Sequence, residues 1–373
     1  MAGPKVGMVE GMIIGVPKEI KNGETRVAMT PNLCRRCVKL GAEVLVEKGA
    51  GERSGFRDTA FRDAGARLVA TAAEAWNEAE LVVKVKEPQE SEFGYFRLGL
   101  TLFTYLHLAA CRDLTKALVK HKVLGIAYES VEAPSGILPL LKPMSHIAGR
   151  LSIQTGAYFL QTQNGGSGVL LGGVPGTMPG RVAIIGAGNS GAHACRMAMG
   201  MGARTTVLDL DSRKLEMLDE EYRGNIVTLM ANPGNIEMAV ADADLLIGAV
   251  LVPNAKAPTV VDKDMVKTMR PGSVIVDIAI DQGGCIETIV PTSHLKPTYV
   301  KHGVVHYAVP NMPALVGRTS TLALTQATEP FLVHLVTSGI EAGLAGHVGL
   351  TQGVNTRDGK VVNAQVAKAL GYK

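Results

Sequence analysis

Short apolar runs recur along the 373 residues at a spacing that leaves room for one helix between each pair. This alternation is the tightest constraint on the fold. In the first part the runs are Met12–Val16, Val44–Glu47, Leu81–Val85, Leu102–Leu106 and Gly125–Tyr128. Helical patterns separate them at Pro31–Leu40, Asp58–Ala64, Thr71–Ala79 and Arg112–Lys122. Thr30-Pro31 suits a helix start, because threonine caps and proline is tolerated in the first turn. Gly41 suits its stop. Apolar strands alternating with helices specify a parallel sheet covered on both faces. A long helix, Met144–Thr162, leads to a second series with strands at Arg181–Ile185, Thr205–Leu208, Ile226–Leu229, Leu245–Ala249, Ser273–Ile278 and Val304–Tyr307. Helices Ser190–Met201, Ser212–Tyr222, Ile236–Ala241 and Lys263–Met269 fall between these strands. From Thr319 the pattern reads as helical to the end, with the C-terminal helices completing the first sheet.

Composition narrows the functional classes. The net charge is +4 with no basic run longer than Arg35-Arg36, so the clustered positive face of a nucleic-acid binder is absent. The longest uncharged stretch, Leu151–Gly180, is broken by glutamines and glycines and does not suit a membrane span. Five cysteines and no opening signal sequence point to a reducing cytoplasm. Cys34 and Cys37 share one helix face, and no second pair accompanies them, so they read as core thiols. Glycine is in excess, 43 of 373 residues, and ten of these fall within Gly165–Gly191.

That block ends in Gly186-Ala187-Gly188-Asn189-Ser190-Gly191, after an apolar strand and before an alanine-rich helix. Gly186 permits the tight turn, Gly188 lets backbone approach a pyrophosphate, and Gly191 lets the helix pack close to the sheet. The helix N-terminus offers N–H groups to phosphates. Asp209 ends the next strand, 21 residues after Gly188, where a carboxylate accepts from ribose hydroxyls and repels a 2′-phosphate. The expected cofactor is NAD. The fold class expected is α/β, with two doubly wound, Rossmann-like domains, parallel sheets and a cleft between them.

Four places hold residues suited to chemistry. His107 follows an apolar strand, and open α/β sheets put their sites at the C-terminal ends of strands. Its residue type suits proton transfer near neutral pH. Lys84 and Lys86 alternate with valines before Pro88, and a lysine at the end of a buried strand needs a partner, an anionic substrate being one. Arg26 has the fork to clamp a carboxylate through two N–H groups. Asp277 and Asp281 flank Ile278-Ala279-Ile280; spacing does not decide which is the functional acid.

Taken together, these segments resemble the L-alanine dehydrogenase family, within the alanine dehydrogenase and transhydrogenase alpha-subunit group. The resemblance runs from about Met12 onward. It rests on Gly15-Val16-Pro17-Lys18-Glu19, Arg26-Val27-Ala28, Val85-Lys86-Glu87-Pro88 and Phe103-Thr104-Tyr105-Leu106-His107-Leu108-Ala109-Ala110. It continues in Pro143-Met144-Ser145, Gly172-Gly173-Val174-Pro175-Gly176, the glycine loop, Val250 to Pro258 and Val276-Asp277-Ile278-Ala279-Ile280-Asp281-Gln282-Gly283-Gly284. Asn311-Met312-Pro313 and Thr319-Ser320-Thr321 complete it.

The resemblance implies reversible NAD-dependent deamination of L-alanine to pyruvate and ammonium, in a cytoplasmic homohexamer. Carried over, Arg26 and Lys86 bind the substrate, His107 is the acid/base and Asp281 the second catalytic residue. Ser145, Asp209, Lys214, Val250, Leu251, Ile278, Asp281 and the segment containing Val309, Asn311 and Met312 contact NAD. The implied domains are 12–139 with 318–373 for substrate and catalysis, and 140–317 for NAD, after a tail at 1–11. Departures are His146, where the family usually has an acid, and Pro310, where it has a small residue. His334 and Ser338 stand where some relatives carry an acid and a histidine proposed to hold magnesium, so no metal is expected. Two alternatives are a transhydrogenase alpha-like NAD-binding subunit, which lacks the histidine of the Leu-His-Leu-Ala-Ala segment, and a dehydrogenase of another small amino acid. A membrane or nucleic-acid partner is not expected.

Overall fold

A computed structural model describes residues 11–250 and 257–372. The chain forms two compact units, 1–144 with 314–373 and 145–313. Strands of the leading segment are β1 (Ile13–Val16), β2 (Glu43–Glu47), β3 (Arg67–Val69), β4 (Leu81–Val83), β5 (Thr101–Thr104) and β6 (Leu124–Ala127). Those of the middle segment are β7 (Arg181–Ile185), β8 (Arg204–Asp209), β9 (Val227–Met230), β10 (Leu245–Gly248), β11 (Val274–Asp277), β12 (Thr298–Lys301) and β13 (Val304–Tyr307). The closing segment adds β14 (Val354–Arg357) and β15 (Lys360–Val361).

The first unit holds an eight-stranded sheet in the order β15-β14-β6-β5-β4-β1-β2-β3, and the second a seven-stranded sheet in the order β12-β13-β11-β10-β7-β8-β9. Within each unit the six parallel strands, counted along the chain, lie in the order 3-2-1-4-5-6. This is the dinucleotide-binding arrangement, with its topological switch point beside the first strand. The sheets are parallel as expected, with antiparallel strands added only at the edges. β12 pairs antiparallel with β13, and β14 antiparallel with both β6 and β15.

The C-terminal segment also departs from the all-helical expectation. Helix Gly317–Ser338 and two short helices give way to the β14–β15 hairpin before helix Ala364–Leu370. The hairpin turns on Asp358 and Gly359, both at positive φ (51° and 75°), which the tight primed turns between antiparallel strands require. The long linking helix covers Lys142–Phe159.

Both faces of the second sheet are buried. Val182 and Ile184 join one apolar cluster while Ala183 and Ile185 join another, as the two-residue period of a strand dictates. Cys34 and Cys37 are fully buried; burial pushes the Cys37 thiol up to about 12, so neither is a reactive thiolate at neutral pH. Among the described residues no helix is long and apolar enough to cross a membrane.

Candidate active site

In the first unit, Arg26 follows β1, Lys86 follows β4 and His107 follows β5, so all three stand beyond the C-terminal ends of neighbouring strands. The switch point lies between β1 and β4. Residues far apart in the chain hold the Arg26 loop. Val27 N–H donates to Thr321 Oγ1 at 3.1 Å, Thr25 Oγ1 donates to the Ala314 carbonyl, and Ser54 Oγ lies 2.9 Å from Thr321 Oγ1. A Cβ on Gly317 would sit 2.4 Å from Thr25 Oγ1. The start of helix Gly317–Ser338 therefore builds the arginine's setting.

The guanidinium fork has a protein partner. Arg26 Nε and Nη2 donate to the two Glu24 carboxylate oxygens at 2.7 and 2.6 Å, with both residues buried. The two-pronged clamp expected for a substrate is thus engaged by Glu24. Nη1 points to Met144 Sδ at 3.1 Å. Burial works against the charge, but Glu24 outweighs it and holds the guanidinium pKa above its ordinary value.

The two lysines separate. β4 ends at Val83, so Lys84 and Lys86 do not share a strand face. Lys84 is 1% exposed and lies 3.2 Å from Glu19 Oε2 and 2.9 Å from Glu92 Oε1. Two carboxylates from within the unit supply the partner that its burial demands, and no substrate is needed for it. Lys86 is half-buried, with Nζ 6.0 Å from the centre of the Tyr105 ring.

His107 has an unusual backbone. Its φ and ψ are 48° and 37°, a left-handed conformation that costs a non-glycine residue energy and recurs at functional sites. Glu129 pins it there, accepting from His107 N–H at 2.6 Å and from Leu106 N–H at 3.2 Å. Glu129 follows β6, and its Oε1 is 4.0 Å from His107 Nδ1. Sequence reasoning missed this glutamate. The signal was its place at the end of the strand beside β5, the same argument that singled out His107.

In the second unit the glycine turn joins β7 to helix Asn189–Gly200. Gly186 has φ 104°, and a Cβ there would lie 2.5 Å from the Ala249 carbonyl. One on Gly191 would lie 1.6 Å from the Gly186 carbonyl oxygen. A Cβ on Gly188 would meet nothing within 4 Å, so the turn is open where a phosphate approaches. Asp209 staples this turn to β8. Its Oδ2 accepts from Ala187 N–H at 2.6 Å, its Oδ1 from Asp211 N–H at 2.8 Å, and Lys214 Nζ is 3.4 Å away. Open turn, helix N-terminus and strand-end carboxylate together fit a dinucleotide.

Asp277 and Asp281 divide their tasks. Asp277 is fully buried and holds the following loop, accepting from Ala279 N–H and Cys285 N–H at 2.8 Å each. Asp281 is exposed and accepts from Asn311 N–H at 3.2 Å, where Asn311 has φ 58°. Burial pushes the Asp277 carboxyl up to about 6. A raised carboxyl pKa means the folded state holds the proton more tightly, so its contribution to stability falls as pH rises from about 4 to 6. In thermal or urea unfolding, wild type is expected to gain on the order of 3 kcal/mol over Asp277→Asn as pH drops through that window. A stability difference that stays flat in pH would show a carboxyl of ordinary acidity.

The remaining expected residues take varied positions. Ser145 lies in the first turn of helix Lys142–Phe159, and Gly149 of that helix packs on the Ser190 carbonyl (2.0 Å from a built Cβ). His146 stacks on His193, ring centres 3.7 Å apart. Partial burial, then the neighbouring His146, Arg150 and Arg196, push His193 down to about 4. Val250 and Ile278 are half-buried, whereas the side chains of Val309 and Met312 lie in the core. Leu251 lies outside the described residues. His334 turns Nε2 toward the Gly343 carbonyl, 3.1 Å away.

Residues 15–148 match the Alanine dehydrogenase/PNT N-terminal domain, and residues 152–364 match its C-terminal domain. The chain belongs to the alanine dehydrogenase/PNT family. An alanine dehydrogenase of Staphylococcus saprophyticus is 54% identical over 360 residues, 96% of this chain and 97% of that protein. A solved L-alanine dehydrogenase superposes with a TM-score of 0.94 at 49% identity, covering 96% of this chain and 99% of the other. A transhydrogenase from Sinorhizobium meliloti shares the fold, with a TM-score of 0.81 at 23% identity over 94% of this chain and 99% of its own. The family's two-domain α/β architecture is the one seen here.

Proposed function

We propose that this chain is an NAD-dependent alanine dehydrogenase, interconverting L-alanine and pyruvate plus ammonium. The observation that carries this is the placement of Arg26, Lys86 and His107 beyond the C-terminal ends of neighbouring strands β1, β4 and β5 of the first unit. It is joined by the open glycine turn with Asp209 in the second. The transhydrogenase-like alternative has no use for His107, and Glu129 visibly secures that histidine.

Bound on the turn, the nicotinamide dinucleotide supplies the acceptor for the hydride leaving the substrate Cα. Residues of this chain do the rest. Lys86 and the Nη1 side of Arg26 hold the carboxylate and carbonyl oxygens of the substrate, where fixed positive charge stabilises developing negative charge. His107 takes a proton from the water that attacks the iminium carbon, then returns one to the departing nitrogen. Asp281, tied to the Asn311 backbone, is the second catalytic group. Gly186 and Gly191 shape the turn, Gly188 would let the phosphates approach its backbone, Ser145 would also contact the dinucleotide, and Asp209 beside Lys214 would meet the ribose hydroxyls. Ile278 and Val250 would offer apolar contact. Val309, Asn311 and Met312 contribute through backbone, since two of the three side chains are in the core. The reading includes a cytoplasmic homo-oligomer, a hexamer by family resemblance.

The test is NADH formation across a panel of amino acids, with NAD and with NADP. Turnover confined to L-alanine and close analogues supports the proposal; turnover of no amino acid sinks it. In the same assay Asp209→Ala is expected to weaken NAD by ~10- to 100-fold, the range for losing hydrogen bonds to a charged group. It is also expected to relax the rejection of NADP, leaving Lys214 to meet a 2′-phosphate. Unchanged selectivity would show that the carboxylate does not read the ribose.

A further inference from the structure

Tyr105 lies between the two functional residues of its neighbourhood in a way the mechanism above does not use. It follows β5, is 3% exposed, and donates its hydroxyl to the Leu140 carbonyl at 2.6 Å. Its backbone N–H donates to the Val85 carbonyl at 3.3 Å, next to Lys86. The His107 ring stacks on the Tyr105 ring, planes 3° apart and centres 5.7 Å apart. Lys86 Nζ stands 6.0 Å from the centre of the same ring. Tyr128 meets the ring edge-on at 5.1 Å and 81°, and in turn meets Phe103 edge-on at 4.5 Å and 86°. The phenol is therefore fixed at its hydroxyl, its backbone and its edge. Burial raises its pKa above the ordinary range, so a neutral ring is what the lysine and the imidazole meet.

We propose that Tyr105 is a positioning residue for the deamination: its ring is the shared platform that sets the Lys86 ammonium and the His107 imidazole relative to each other. The proposal rests on the reading of Lys86 as substrate lysine and His107 as acid/base. Lysine has four rotatable bonds, and a histidine 40% exposed has few packing neighbours. A cation on a ring and a ring on a ring are both favourable, so one fixed aromatic restricts both side chains. The water that His107 activates must reach a carbon whose carboxylate Lys86 holds. The separation of those two groups is thus a property of the reaction, and a shift of about 1 Å costs up to ~100-fold.

Tyr105→Phe keeps the ring and loses the hydroxyl bond; Tyr105→Leu keeps burial and loses the ring. Should the leucine variant fail to fold, Tyr105→Met puts the same question with a longer side chain. Steady-state kinetics with L-alanine are expected to show Phe within ~3-fold of wild type. Leu or Met is expected to lose ~10- to 100-fold in kcat/KM, with both kcat and KM moved, an altered pH profile and unchanged NAD affinity. Leu or Met variants with wild-type kcat, KM and pH profile would overturn the proposal. So would a Phe variant as damaged as Leu, which would assign the effect to the hydroxyl. Imidazole NMR gives a reading independent of substrate. The His107 ring protons should show an aromatic ring-current shift in wild type and Phe that vanishes in Leu. A wild type that oxidises no amino acid but shows this shift refutes the proposed function and leaves the ring arrangement standing. Absence of the shift in an active wild type refutes the platform alone.

Discussion

His107→Ala is expected to lower kcat for L-alanine by ~10³-fold, within the range for a lost general acid/base. NAD affinity should stay within ~2-fold, since every residue of the glycine-turn cradle belongs to the second unit and none of the contacts that hold it involves His107. The backbone argues the same way. His107 is held in its left-handed conformation with Glu129 accepting from two successive amides, so the loop that presents the imidazole has support independent of the side chain that the substitution removes. Measurement is direct: stopped-flow or steady-state NADH formation for turnover, and fluorescence titration for the nucleotide. Turnover within tenfold of wild type would remove His107 from the chemistry. Loss of nucleotide binding along with turnover would assign it a structural part instead.

Gly191→Ala should be nearly as severe, by another route. The added methyl would stand 1.6 Å from the Gly186 carbonyl oxygen, a backbone atom that has no alternative rotamer to adopt. Either the turn or the helix Asn189–Gly200 has to move. Overpacking of this kind costs about 1–3 kcal/mol in stability. A displaced turn also forfeits charge-assisted bonds from its amides to phosphate, worth about 1.5–3 kcal/mol each. The expectation is a lower melting temperature with NAD binding weakened by at least ~100-fold. Gly188→Ala is the control, because a Cβ there meets no protein atom within 4 Å. It should fold normally and lose NAD through conflict with the ligand alone. Equal NAD affinity in Gly191→Ala and wild type would show that the turn is not the nucleotide cradle.

Much of this was legible in the residues because the relevant signals are local. Strand, glycine turn, helix and acid follow one another within about 30 residues, and each residue type has a backbone or electrostatic reason to be there. Strand ends were equally legible, which drew attention to His107 and the Lys84/Lys86 pair, while Arg26 was singled out by its guanidinium fork. What escaped depends on partners distant in the chain. Nothing near Arg26 announces that Thr321, almost three hundred positions on, holds its loop, and nothing near His107 announces Glu129. Spacing left Asp277 and Asp281 alike; their difference, one buried and bonded to two loop amides and the other exposed, is a matter of burial, which spacing does not encode. Lys84 and Lys86 looked alike because a strand drawn through Val85 would point them the same way; ending β4 at Val83 sends one to Glu19 and Glu92 and the other to Tyr105. The β14–β15 hairpin was overlooked for a different reason. Its strands are short, but Asp358-Gly359 is a recognised hairpin dipeptide and carried the information.

Because the second unit is a continuous insertion into the first, the two complete themselves on different schedules during synthesis. Residues 145–313 form a seven-stranded unit whose strands all come from that one stretch, so its sheet has all its partners once the stretch is synthesised. The first unit cannot follow suit. Until residues 314–372 are made, β6 has a bare edge where β14 belongs, and the Arg26 loop lacks Thr321. Folding therefore ends where it began, with a late, long-range closure of the kind that slows assembly and exposes strand edges to aggregation. The same wiring makes the arginine's setting depend on the last part of the chain to be made: truncation before helix Gly317–Ser338 would remove Thr321, the acceptor of Val27 N–H.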